Sequence, residues 1–102
     1  MSDQILTEDN RLAPDGHEVI AVLQRGHVAV GRYRQHGNIG ALEQAAIVRY
    51  WGTKEGLGEL AMKGPLANTK LDKCPDLAFH IREAIFIMEV KPDAWRDYFD
   101  KH

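Results

Sequence analysis

The residues of this chain with chemistry to offer cluster in its middle third. Arg32, Arg34 and Arg49 stand there with His27 and His36, and Tyr33, Tyr50 and Trp51 are interleaved among them. Guanidinium groups hold phosphates and aromatic rings stack on bases, so this mixture suits single strands or nucleotides. From residue 24 to residue 54 five bases face one acid, Glu43, a net of +4, whereas the whole chain carries −2. A solvated outer face of a sheet would hold the same residues.

A second grouping is Gly52, Gly56 and Gly58, with Thr53 and Lys54 between them, just ahead of a short helical pattern. Unpaired N–H groups at such a turn can hold a phosphate or carboxylate. No Gly-Lys-Ser/Thr follows, so the spacing is not that of a P-loop, and the same glycines would also let the backbone turn beneath Trp51. The candidate anion or nucleic-acid contacts are therefore Arg32, Arg34, Arg49, Thr53 and Lys54.

Other chemistries find less support. Histidines 17, 27, 36, 80 and 102 are scattered and the lone Cys74 has no Cys-x-x-Cys partner, so neither a metal site nor a cofactor is expected. Cys74-Pro75 reads as a small buried residue entering a strand, and no nucleophile and base are paired, so no catalytic residue and no enzyme activity are expected. One cysteine allows no internal disulfide, which points to a reducing, cytoplasmic setting. No apolar run approaches the roughly 20 residues of a membrane span.

The elements that must position these residues follow from patterning. At 102 residues, 44% of them hydrophobic, the chain has material for one small core. Residues 1–17 are acidic, polar and poorly patterned and read as a flexible arm; residues 18–102 read as the single domain. Val19-Ile20-Ala21-Val22-Leu23 is a strand signal, and 27–34 a second, in which a bulge at Gly31 would turn Tyr33 toward the core and both arginines to solvent. After the turn at Gly37-Asn38, residues 39–51 read as a long strand paired with it, with Trp51 as a core anchor.

Leu57, Leu60 and Ala61 mark one or two helical turns closed by Gly64-Pro65, residues 66–76 read as loop, and 77–82 and 84–90 as strands. Lys91-Pro92-Asp93 opens a terminal helix bearing Trp95, Tyr98 and Phe99 on one side. Those three rings are expected either to dock on their own domain or to cover a partner chain, which makes them the candidate interface. The predicted fold is mainly β (α+β): a small, bent, five-stranded antiparallel barrel with a short inserted helix and a C-terminal helix.

The run from Gly31-Arg32-Tyr33 through Leu42-Glu43-Gln44-Ala45, Arg49-Tyr50-Trp51, Gly58-Glu59-Leu60-Ala61, Gly64-Pro65, Thr69-Lys70-Leu71 and Glu83-Ala84-Ile85-Phe86-Ile87-Met88 resembles a family of small phage, prophage and bacterial proteins. That resemblance implies a mobile-element origin and brings no catalytic residue with it. More loosely, Gly31-x-Tyr33, the Gly37-Asn38 turn, Leu42-Glu43-x-Ala45 and residues 84–90 are similar to strands of Sm-like and SH3-like barrels, although the segment 52–75 is long for one.

Two functions are consistent with these features. The first is a non-enzymatic accessory module of a mobile element, acting by protein contact in the cytoplasm of a bacterial host. Its partners would be a host or phage protein and a second copy of itself, most simply in a dimer. The second is a nucleic-acid or nucleotide-binding barrel that uses the basic, aromatic face.

Overall fold

The computed structural model describes residues 11–102. In chain order its elements are β1 (Glu18–Leu23), β2 (Val28–His36), β3 (Ile39–Tyr50), α1 (Leu57–Lys63), β4 (Lys70–Lys73), β5 (Leu77–His80), β6 (Ala84–Glu89) and α2 (Pro92–Lys101), with single 3-10 turns at Gln24–Gly26 and Ile81–Glu83. All pairings are antiparallel, in the order β4-β3-β2-β1-β6. β3 is long enough for two partners on its other side: residues 39–42 pair with β5 and residues 46–50 with β4. The predicted class, mainly β with a short inserted helix and a C-terminal helix, is the one adopted. Its six described strands exceed the expected five because β4 forms within 66–76, which had read as loop.

The sheet buries both faces. Ile20, Val28, Val30, Ala46 and Val48 point to one side, where Leu57, Leu60 and Ala61 of α1 and Trp95 and Phe99 of α2 cover them. Val19, Ala21, Ala29, Tyr33, Leu42 and Ala45 point to the other, packed with Leu77 and Phe79 of β5 and Ile87 of β6. β6, at one end of the pairing path, and β5, which flanks β3 near the other, thus share one cluster, so the sheet curls on itself like a barrel. Burial on both faces explains why β1 is a continuous apolar run rather than an alternating one.

The irregularity expected at Gly31 lies across from it. The β2–β3 register shifts between Val30↔Ala46 and Arg32↔Glu43, which leaves one extra residue in β3, and Gln44 there has φ 52. Strand β2 keeps its alternation: Tyr33 follows Ala29 into the curled interior, and Arg32 follows Val30 under the helices. Gly31 is required because a Cβ there would lie 2.7 Å from Leu42 Cβ and 3.0 Å from the Glu43 carbonyl.

Residues 1–10 of the expected flexible arm lie outside the described residues. Residues 11–17 are bonded along β2: the Leu12 N–H donates to Gln35 Oε1 at 3.0 Å, the Gln35 N–H to Asp15 Oδ1 at 3.1 Å, and the Gly16 N–H to the Tyr33 carbonyl at 2.7 Å. Ala13 is buried with them. Polar side chains make two of these bonds, Gln35 accepting from the Leu12 N–H and Asp15 from the Gln35 N–H.

Candidate binding surfaces

The three arginines of the expected basic face each meet a different carboxylate. Arg32 is half-buried beneath α2, its guanidinium carbon 5.2 Å from the Phe99 ring centroid, with Nη2 3.0 Å from Glu18 Oε2 and Nη1 donating to Gln44 Oε1 at 2.6 Å. Arg34 pairs with Glu43 across the hairpin at 3.2 Å. Arg49 forms a two-pronged fork with Asp72 of β4, Nε to Oδ2 at 2.9 Å and Nη2 to Oδ1 at 3.1 Å. Those hydrogen bonds raise the Arg49 pKa and hold the Asp72 carboxyl below its ordinary range. Each arginine is therefore matched by a carboxylate, which removes much of the attraction for phosphate that the charge count suggests.

The glycine turn is filled from within the chain. Glu59 Oε1 accepts the N–H groups of Lys54 at 2.9 Å and Glu55 at 2.8 Å. The bond from Glu55, reinforced by that from Lys54 and by the Lys63 ammonium, lowers the Glu59 pKa. The two donors that could have held an anion already hold this carboxylate. An acid one turn into an adjoining helix was the sequence signal for this outcome, since it can reach back to unpaired N–H groups.

Trp51 is not the core anchor its size suggested. β3 ends at Tyr50, and Trp51 and Tyr50 are 40% and 59% exposed. The backbone is held in that position: the Thr69 hydroxyl donates to the Trp51 carbonyl at 2.7 Å, and a Cβ on Gly52 (φ 69) would lie 2.5 Å from the Asn68–Thr69 peptide. The two residues line an open groove of about 440 Å³ with Arg49, Gly52, Thr53 and Gly56. Of the five candidate contacts, Arg49 and Thr53 line this groove, Lys54 adjoins it in sequence, and Arg32 and Arg34 lie elsewhere.

The aromatic residues of the terminal helix dock on their own domain. Trp95 is fully buried, its indole Nε1 donating to the Leu60 carbonyl at 3.1 Å, and Phe99 is buried beside it. The half-buried Tyr98 donates its hydroxyl to the Gln44 carbonyl at 2.9 Å. Trp95 and Phe99 are thereby withdrawn from a partner-facing interface, the alternative role given to this helix. Burial pushes the pKa of the partly covered Cys74 thiol up, away from the thiolate that nucleophilic chemistry uses. Among the described residues no three His, Cys, Asp or Glu side chains converge as a metal site would need, and no helix is long and apolar enough to cross a membrane.

One surface had no sequence signal. β6 ends the pairing path, and Ile85 and Phe86 on it are 55% and 47% exposed. Its composition reads as an ordinary buried strand, and only the sheet order shows that its outer side has no neighbouring strand among the described residues.

No protein-family model matches the chain, and no curated protein matches it. Among solved structures the chain is similar to a heptameric archaeal Sm protein at 18% identity, over 74% of this chain and 88% of that one, with a TM-score of 0.49. It is also similar to the P. aerophilum SmAP1 heptamer at 22% identity, over 74% and 81% of the two chains, with a TM-score of 0.47. Both are Sm proteins, the looser of the two kinds of protein the sequence resembles. At this level the likeness concerns the course of the chain and assigns no residue a role; it has no bearing on the resemblance to phage and prophage proteins.

Proposed function

We propose that the protein is a non-enzymatic binding module that works by protein contact and pairs with a second copy of itself along β6. The observation that carries this reading is the open β6 edge. A strand at the end of a sheet offers unpaired N–H and C=O groups to another chain, and monomers usually blunt such edges with lysine, proline or a cover. Here the strand is Ala84-Ile85-Phe86-Ile87-Met88-Glu89, apolar until its last residue. The register shift opposite Val22 and Leu23 makes Ile85 a bulge at one end, and Phe86 to Glu89 stay regular.

Two such edges meeting antiparallel would form a two-fold pair, the commonest symmetry of small homo-oligomers. An accessory role in a mobile element, with a host or phage protein as further partner in a bacterial cytoplasm, rests only on the resemblance of roughly residues 19–95 to such proteins.

Light scattering at micromolar concentration tests the pairing. The full chain is expected at dimer mass and Phe86→Lys at monomer mass, both with cooperative melts, because the half-exposed ring contributes little to the fold of one chain. A monomeric parent, or a Phe86→Lys dimer, rules this edge out. A monomer mass that becomes a dimer only after residues 1–10 are removed would show that those residues occupy the edge instead.

A further inference from the structure

We infer that the groove at the end of β3 is a binding site for a nucleobase and its phosphate, with Trp51 and Tyr50 as the stacking surface. The inference stands apart from the pairing of β6 and uses a different part of the molecule. A large exposed indole costs solvation unless something covers it, and this one is not exposed through looseness. Thr69 holds its carbonyl, the Asn68–Thr69 peptide packs against Gly52, and the Asp72 fork fixes the neighbouring Arg49. A ring presented on a fixed backbone loses little entropy when a ligand stacks on it.

The lining decides the ligand class. It comprises Trp51, Tyr50, Arg49, Thr53 and two glycines, with no leucine, isoleucine, valine or methionine. An aliphatic anchor from a protein would find few methyl or methylene groups to pack against, whereas a planar heterocycle has two aromatic residues in the lining to stack on. Charge points the same way. Lys70 is the register partner of Tyr50, Lys54 follows Thr53, and among the described residues no acid pairs with either lysine. Of the nearby acids, Asp72 is neutralised by Arg49 and Glu59 is turned to the Lys54 and Glu55 N–H groups, while Glu55, like Lys54 and Lys70, adjoins the groove without lining it. The Arg49 fork uses Nε and Nη2, which leaves Nη1 as a donor for a phosphate oxygen.

Fluorescence anisotropy with the full chain and a labelled thymidine strand about ten nucleotides long tests the site. Binding is expected at about 50 mM salt and to fall steeply by about 200 mM, and the Lys54→Ala, Lys70→Ala double variant should bind more weakly with a flatter salt dependence. Trp51→Ala should weaken binding roughly tenfold or more, and Trp51→Phe, which keeps a ring to stack, should recover most of the loss. Arg34→Ala, remote from the groove, should bind as the parent does.

Competition by thymidine monophosphate separates the two sources of this chemistry. Full displacement shows that a free nucleotide suffices, and persistence of the labelled complex shows that several linked nucleotides are needed. Absence of strand binding at low salt overturns the inference. So does parental affinity in a folded Trp51→Ala, or a loss in Trp51→Phe as large as that in Trp51→Ala.

Discussion

Two tryptophans of the same composition class have opposite roles, and their surroundings decide which. Trp95 is enclosed by both helices and the sheet, with its N–H satisfied by Leu60 and its ring edge-on to Tyr98 at 5.7 Å. Truncating a buried ring of this size costs about 3 to 5 kcal/mol, a large share of the roughly 5 to 15 kcal/mol that holds a domain together. Trp95→Ala should therefore melt far below the parent or fail to fold, whereas Trp51→Ala should melt close to it. Thermal unfolding followed by circular dichroism compares the two, and a Trp51→Ala melt as low as that of Trp95→Ala would return Trp51 to the core. Arg32 gives a similar lesson: a surface cation by type, it is spent on Phe99, Glu18 and Gln44.

Among the elements, β3 does the most to organise the others. Its bulge at Gln44 changes which side chains face each core, so that Leu42 and Ala45 share one cluster and Ala46 and Val48 the other. The bulge also fastens α2. Gln44 accepts the Tyr98 hydroxyl on its carbonyl, donates its side-chain amide to the Phe99 carbonyl at 2.9 Å, and accepts from Arg32. Gly31 lets β2 approach this irregular stretch. Gly31→Ala forces a methyl group against Leu42 and the Glu43 carbonyl, an overpacking that typically costs about 1 to 3 kcal/mol. Denaturant unfolding should show a loss in that range. An unchanged midpoint would mean that the hairpin opens to accept the methyl group at no cost.

At the scale of the whole molecule, the two covered faces of the sheet set an alkaline limit to stability. Desolvation pushes Tyr33, inside the curled sheet, and Tyr98, beneath α2, up to about 12 from the ordinary 10.0. Below pH 10 both phenols are protonated whether the chain is folded or not, and their contribution is complete. Between about 10 and 12 the unfolded chain releases protons that the folded chain retains, so stability falls as pH rises through that window. Phenolate absorbance and circular dichroism recorded together should show these two tyrosines ionising as the chain unfolds. Ionisation near 10 with the fold intact would show that neither ring is shielded from water.

The sequence by itself determined the mainly-β class, the strands at β1, β2, β3, β5 and β6, the short helix after the glycine turn and the terminal helix. These follow from local rules: runs of β-branched residues, turn residues at Gly37-Asn38, and proline at the first helical position. It did not determine which of Trp51 and Trp95 would be buried, because hydrophobicity is a property of the residue and burial a property of what arrives to cover it. The order of strands was likewise decided only in the tertiary structure, and with it the open β6 edge. The partners of the charged side chains were decided there too. Arg49 meets Asp72, and Arg32 meets Glu18 and Phe99, over separations in sequence that no local pattern reports, so a face that counts as basic in sequence is largely neutralised in three dimensions.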